Sequence, residues 1–340
     1  GGAGGAAGVA GAGGAGGYTR RERLFAAGLY GATSIAIMLV NKVVLTQWDF
    51  PSSKILALSQ FTCTLAMLHA GKTLGWVAYP DFSPQAVRKV MPLPLVFMLN
   101  VLCGLGGTKA VSIPMFSVLR RFNLVFTMLL EFLVFGTVAS GRVRSTVACM
   151  MLGAFIAASN DLAFNAQGYL LIMLNNVFTS GGGVLLKSKL NDAKGGLGTF
   201  GLLFYNTLLS WPVLLGFVVL FRRGEWAAVL AFEHWGNPLF LALFLTSSVL
   251  GCVLNYSIYH CTRVTSALTV VVVGCTKNVL TTYIGFALST DYVFSWSNFA
   301  GINLSMVGAL YYSWLKFSKR QDKDRQQQQA GAGGGGGVGG

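Results

Sequence analysis

The sequence predicts an all-α polytopic membrane protein of ten transmembrane helices, built as a 5+5 inverted repeat with both termini in the cytosol. Three observations predict it. The chain is 54% hydrophobic and only 11% charged, with a mean hydropathy of +0.61, whereas a soluble domain is roughly a quarter charged. Apolar stretches of about 20 residues, enough to cross a bilayer core, recur about ten times. The basic residues then fall mostly on one side of the layout that these stretches define.

In order, the spans read as 24–45, 53–74, 90–108, 112–136, 145–160, 168–187, 199–221, 238–260, 265–288 and 294–316. The third, "MPLPLVFMLNVLCGLGG", carries two prolines, and the fifth is short; neighbouring helices can re-satisfy a backbone interrupted by Pro or Gly. With the N-terminus in the cytosol, 17 of the 25 Lys and Arg lie on the cytosolic side, among them Arg20, Arg88, Arg142, Lys187, Arg263 and Lys319. Four lie opposite (Lys54, Lys109, Arg222, Arg223) and four inside spans (Lys42, Arg120, Arg121, Lys277). That asymmetry calls for an even number of spans. It also accounts for the net charge of +14 without nucleic acid as a partner.

Residues 1–19 and 318–340 are Gly/Ala-rich and basic, Gln/Gly-rich tails, too poor in apolar residues to bury a core and expected to be disordered. Residues 20–317 form the ten-helix domain, with repeat one at about 20–160 and repeat two at about 166–317. No cleavable signal or transit peptide can be read. The six cysteines lie in or beside apolar segments without metal-ligand spacing, and three distant histidines make no cluster. No metal or cofactor is expected.

The halves align weakly. "SIPMFSVLRRFNLVFTMLLEFLVFG" from Ser112 matches "SALTVVVVGCTKNVLTTYIGFALS" from Ser266, and "MLGAF" (151–155) matches "MVGAL" (306–310). Five spans per half is odd, so the second half enters the membrane in the opposite sense, and such inverted repeats bind their solute near the midplane. Gly28, Gly31, Gly153, Gly251, Gly301 and Gly308 read as points of close helix packing.

The alignment gives the buried charges a purpose. Arg120 and Arg121 lie about eight residues into the fourth span, roughly 12 Å deep at 1.5 Å per residue. Lys277 lies about twelve residues into the ninth. Each costs about 2.5–3.5 kcal/mol at the bilayer centre on insertion scales, so all three should face a watered cavity. Successive helical residues point about 100° apart, so one arginine should face the cavity and the other pack. No acid matches them within the membrane; Glu131 lies nearer the cytosolic end, and Asp161 and Asp291 lie at span ends. Fixed positive charge at the midplane calls for an anionic solute, for which Arg supplies a fork and Lys a point charge. The alternative is that an arginine pairs with Glu131 or with helix-end carbonyls.

Polar and aromatic groups join them: Asn41 and Lys42 in "VNKVV", Tyr205 and Asn206 in "FYNT", and Asn255, Tyr256, Tyr259 and His260 in "NYSIYH". Rings can stack a base and Asn can read its edge; each could equally be a packing residue. Lys187, in "GGGVLLKSKL", is kept as a solute-binding candidate, but the stretch lacks GxxxxGK[ST] and is not an NTPase loop. A membrane-bound transferase would need grouped carboxylates. The chain has 11 acids, none grouped in a loop, so it is not expected to be an enzyme.

These motifs, in order over residues 20–317, with "VNKVVLTQWDFPSS", "NDLAFNAQGYLLIMLNNVFTSGGGVLLKSKL", "GLLFYNTLLSWP" and "DYVFSWSNFAGINLSMVGALYYSW", resemble the nucleotide-sugar transporters. That family belongs to the drug/metabolite transporter superfamily, together with the plastid triose-phosphate translocators. The similarity is greatest to the branch carrying UDP-glucuronate, UDP-N-acetylgalactosamine and UDP-N-acetylglucosamine. The resemblance implies exchange of a cytosolic UDP-sugar for luminal UMP across a Golgi or endoplasmic reticulum membrane, with a homodimer as one admissible assembly. In the GDP-mannose branch a "GALNK"-type motif and "FYNN" form the nucleotide site. Here those positions read "GCTKN", bringing in Gly274, Lys277 and Asn278, and "FYNT", a departure that suits uridine over guanine. A plastid-type sugar-phosphate/phosphate translocator and a GDP-sugar transporter are the alternatives.

Overall fold

The computed structural model describes residues 18–111, 113–136, 138, 140–159, 164–192, 197–265, 267, 269–271, 273–274, 296–297, 299–308 and 310–311. Residues 1–17 and 318–340 of the expected tails, together with Lys277, Asn278, Asp161 and Asp291, lie outside them. All the secondary-structure elements among the described residues are helical, with no strand. The order is α1 (Arg20–Lys42) running into a π-helix (Val43–Gln47), α2 (Ser53–Thr73), α3 (Pro84–Val90), α4 (Leu93–Ala110), α5 (Ile113–Leu119), α6 (Phe122–Phe135), α7 (Gly141–Ser159), α8 (Ala166–Asn191), α9 (Gly198–Phe221), α10 (Arg223–Leu230), a 3₁₀ turn (Glu233–Gly236) and α11 (Pro238–Val264). A further helical stretch covers Phe299–Gly308.

Starts are written in the sequence. Thr19 and Glu22 form a capping box on α1, and Ser52, Ser83, Asn165 and Asn237 each accept a backbone N–H at the next starts. Such caps replace orphan donors of the first turn. Among the described residues, five helices are long and apolar enough to cross a membrane, counting α1 with its π-helix. The α3–α4 pair, bent by 53° at "MPLP", makes a sixth. Outward-facing side chains such as Phe25, Leu133, Phe155, Leu220 and Leu245 are exposed and apolar, as lipid contact requires.

Two packed groups face each other. In one, α4 and α6 lie against α8; in the other, α1 lies against α11. α2 and α9 bridge at one side. Close approach depends on missing side chains. A Cβ on Gly107 would stand 2.7 Å from Ile172 Cγ1. At the crossing of α7 with 299–308, a Cβ on Gly153 would stand 2.6 Å from the Ser305 backbone nitrogen, and one on Gly301 2.5 Å from that of Ala157. Backbone meets backbone there, as small residues permit inside a membrane.

The fourth span, read as one continuous helix, is broken. α5 ends at Leu119, α6 begins at Phe122, and Arg120 and Arg121 form the turn between them. The N–H of Arg121 donates to Val118 O and that of Leu124 to Arg121 O, both at 3.0 Å. These i→i−3 bonds tighten the chain locally. Carbonyls at the break are met from α8: Asn176 Nδ2 donates to Leu119 O at 2.8 Å, and Ser180 Oγ to Asn123 O at 3.0 Å. Asn176 and Ser180 lie four residues apart, on one buried face of α8.

Candidate functional site

A cavity of about 260 Å³ lies between the two groups. α4 contributes Phe97 and Asn100 to its lining, the break Arg120 and Asn123, and α8 Thr179, Gly182 and Gly183. From the other side come Tyr30 of α1, Asn255, Tyr259 and Thr262 of α11, and Gly274, with Asn206 of α9 completing the wall.

Arg120 is the charged centre of the described wall. Its Nη1 donates to Asn175 Oδ1 and, at 3.3 Å, to Thr179 Oγ1. Those partners are themselves tied to α4: Asn175 Nδ2 donates to Asn100 O at 2.6 Å and lies 2.5 Å from Asn100 Oδ1, while Thr179 Oγ1 lies 2.8 Å from Asn100 Oδ1. Gly104 makes room, since a Cβ there would stand 2.9 Å from Asn175 Nδ2. The helix break therefore aims one guanidinium into the cavity, and a polar lattice from two neighbouring helices fixes its direction.

Arg121 goes elsewhere. It is fully buried and does not line the cavity. Of the other expected site residues, Asn206 and Gly274 line the wall. Asn206 is 3% exposed, and its Oδ1 has no hydrogen-bond partner among the described residues. Buried amides are rarely left so, and here the amide faces the cavity. Gly274 stands beside Tyr30: a Cβ on it would lie 3.5 Å from the phenol oxygen.

Four candidates do not line the cavity. Tyr205, adjacent to Asn206, is buried; its hydroxyl donates to Asp81 O at 2.6 Å and accepts from the Ser83 N–H at 3.3 Å, fastening the α2–α3 loop to α9. In that loop, a hydrogen bond from Lys72, with its charge, holds the Asp81 carboxyl below the ordinary range. Tyr256 stacks between Phe200 (5.2 Å) and His260 (5.7 Å). Asn41 Oδ1 accepts from Ser247 Oγ at 2.6 Å and Gln60 Nε2 at 3.3 Å, joining α1, α2 and α11. Lys187 Nζ donates to the carbonyls of Thr262 (2.9 Å), Arg263 (3.1 Å) and Thr265 (3.0 Å).

Sequence reasoning passed over Asn100, Asn123, Asn175 and Thr179. The signal was present in "LNNVFTS": an otherwise apolar span carries two polar pairs, Asn175/Thr179 and Asn176/Ser180, each at the i,i+4 spacing of one helix face.

The sequence profile of the Triose-phosphate Transporter family matches residues 24–313. The chain is 41% identical over 303 residues to "UDP-sugar transporter UST74c" of Drosophila melanogaster, covering 89% of this chain and 80% of that one. It is 41% identical over 302 residues to "Nucleotide sugar transporter SLC35D2" of Mus musculus, covering 89% and 91%. A solved crystal structure superposes with a TM-score of 0.59 at 12% identity, covering 89% of this chain and 99% of that chain; at that identity the likeness speaks for the fold alone.

Proposed function

Because the chain belongs to the Triose-phosphate Transporter family, we propose that it exchanges a cytosolic UDP-sugar for luminal UMP, by alternating access through the cavity at Arg120. It is a transporter rather than an enzyme, of Golgi or endoplasmic reticulum membranes. The observation that carries this reading is Arg120: a guanidinium at a helix break, facing a cavity with walls from two separate helix groups, suits a phosphate-bearing solute. Relatives named for UDP-sugars favour uridine over the GDP-sugar and plastid sugar-phosphate alternatives.

The helix pairing supports ten spans in a 5+5 repeat. Numbering spans along the chain, α1 and α11 are the first and eighth, and α8 and α4 the sixth and third. An inverted repeat exchanges first with sixth and third with eighth. The α1–α11 and α4–α8 contacts then become the same contact seen twice. Both termini on the cytosolic side follow from that even count and from the basic residues.

In this site Arg120 holds phosphate and the Asn206 amide meets the base edge. Lys277, three residues beyond Gly274 in the chain, supplies the second cation to the phosphate, and Asn278 joins it. Arg121, Tyr205, Tyr256, Asn41 and Lys187 serve the frame. The test is uptake of radiolabelled nucleotide sugars into proteoliposomes preloaded with UMP, CMP, GMP or inorganic phosphate. UMP-dependent uptake of a UDP-sugar is expected; uptake driven by GMP or by phosphate would assign one of the alternatives instead.

A further inference from the structure

We propose that Lys187 is a gate latch: its ammonium pins the end of α11 to α8 and closes the cavity at the face that carries the N-terminus of α1. The inference rests on the transporter reading of the cavity and adds to it the residue that governs opening at one end.

Three features carry it. First, the contact joins the two helix groups. Lys187 belongs to α8, packed with α4 and α6, whereas its acceptors, the carbonyls of Thr262, Arg263 and Thr265, end α11, packed with α1. Second, it sits at the cavity's margin. Leu186, the neighbour of Lys187, and Thr262, one of its acceptors, both line the cavity. One turn inward the walls touch: a Cβ on Gly183 would stand 3.6 Å from Ala267 Cβ. Third, the chemistry suits a contact that must be made and released. The last carbonyls of a helix have no intrahelical donor and carry the negative end of its dipole. An ammonium satisfies three of them at once as a compact point charge, and water can replace it when the groups part. The contact is thus firm while closed and leaves no group stranded when open.

The experiment uses full-length protein with its native cysteines replaced, shown first to retain exchange, in sealed vesicles whose sidedness an N-terminal epitope reports. With Ala267→Cys as reporter, an impermeant maleimide added on the α1 N-terminal side should react about tenfold faster when Lys187→Met is introduced, equivalent to ~1.4 kcal/mol of lost closing interaction. Lys187→Arg, which keeps the charge and donors, should leave the reaction slow. In the doubly substituted Gly183→Cys/Ala267→Cys protein the Cβ spacing falls within the disulfide range. Oxidation should stop exchange, and a reductant should restore it. Unchanged labelling in Lys187→Met, or undiminished exchange by the oxidised double variant, overturns the latch. Labelling follows the gate whatever the solute: a tenfold rise in a protein that takes up no UDP-sugar would sink the solute assignment and leave the latch standing.

Discussion

The two ends of the helix bundle differ in how far polar contacts to backbone carbonyls tie them together. At the end where α1 finishes, rings join the chain after α1 to α11 and the turn before it, and aliphatic residues of α2 and α9 pack around them. Phe50 lies 5.3 Å from Phe232, 5.4 Å from Phe244 and 5.9 Å from both Trp235 and Phe240, all centroid to centroid. Around them Val44, Leu56, Val218 and Phe240 are buried. At the end where α1 begins, rings stack as well, Tyr79 on Phe204 at 4.4 Å and Phe200 on Tyr256 at 5.2 Å, but polar atoms also tie the elements to backbone: Lys187 to three carbonyls and Tyr205 to the α2–α3 loop, with Arg263 Nη1 donating to Thr199 Oγ1 at 3.2 Å. Close-packed rings lose dispersion contacts as soon as they separate. Hydrogen bonds to backbone carbonyls can be exchanged for water. The first end is suited to holding four helices as one body, the second to opening.

The sharpest way to break this contrast is Phe50→Ala. Emptying the centre of the ring cluster should cost about 3–5 kcal/mol and lower the melting temperature substantially, while the increment that saturating UMP adds to it survives. A lost UMP increment would make the ring end part of the site. Next in size is Arg120→Lys, which keeps the charge but loses the fork. Losing one charge-assisted bond of about 1.5–3 kcal/mol should raise the KM for uptake at least about tenfold, with the melting temperature near wild type. Arg121→Lys should do the reverse, and equal effects of the two substitutions on uptake would erase the distinction drawn between them.

Asn176→Ala probes the break itself. It strips the donor from Leu119 O and should destabilise by about 1–3 kcal/mol, with a smaller loss of uptake as Arg120 drifts. The smallest effect belongs to the ring end's ion pair. Lys54 Nζ lies 2.8 Å from Glu225 Oε1, and Ser52 Oγ donates to Oε2 at 2.7 Å. Burial pushes the Glu225 carboxyl up, but Lys54 and Ser52 outweigh it, and the group stays below its ordinary value of 4.5. A depressed folded pKa stabilises above the unfolded pKa, and that contribution is lost as pH falls through the folded one. Wild-type protein should therefore lose stability on acidification below about pH 4.5, by no more than about 1 kcal/mol from this pair. Glu225→Gln should flatten that part of the melting temperature–pH curve; an unchanged slope would assign it elsewhere.

Much of the fold was legible because lipid imposes a length on every spanning helix, and caps such as Ser52, Asn165 and Asn237 mark where helices start. The break at Arg120 was not legible. "SVLRRFN" contains no Pro or Gly, and what stabilises the interruption is Asn176 and Ser180, more than fifty residues downstream. The site was half legible for a related reason. Composition marks a lysine or tyrosine inside an apolar chain as unusual, but not whether its partner is a solute or a carbonyl. Arg120 and Tyr205 sit in equally suggestive motifs; only their neighbours, Asn175 in one case and Asp81 O in the other, separate them.

The π-helix at Val43–Gln47 sets the phase of the chain beyond it. A π turn accommodates one more residue than an α turn, so the chain leaves α1 rotated by about one residue's worth of arc, roughly 100°, from where an uninterrupted α-helix would have delivered it. Trp48 and Phe50, directly downstream, meet the ring cluster in that rotated register. Removing a single residue from Val43–Gln47 would leave composition and hydropathy almost untouched, yet turn both rings away from their partners. The segment thus tolerates exchange of side chains more readily than a change in their number, and a one-residue deletion there should do more damage than any single replacement within it.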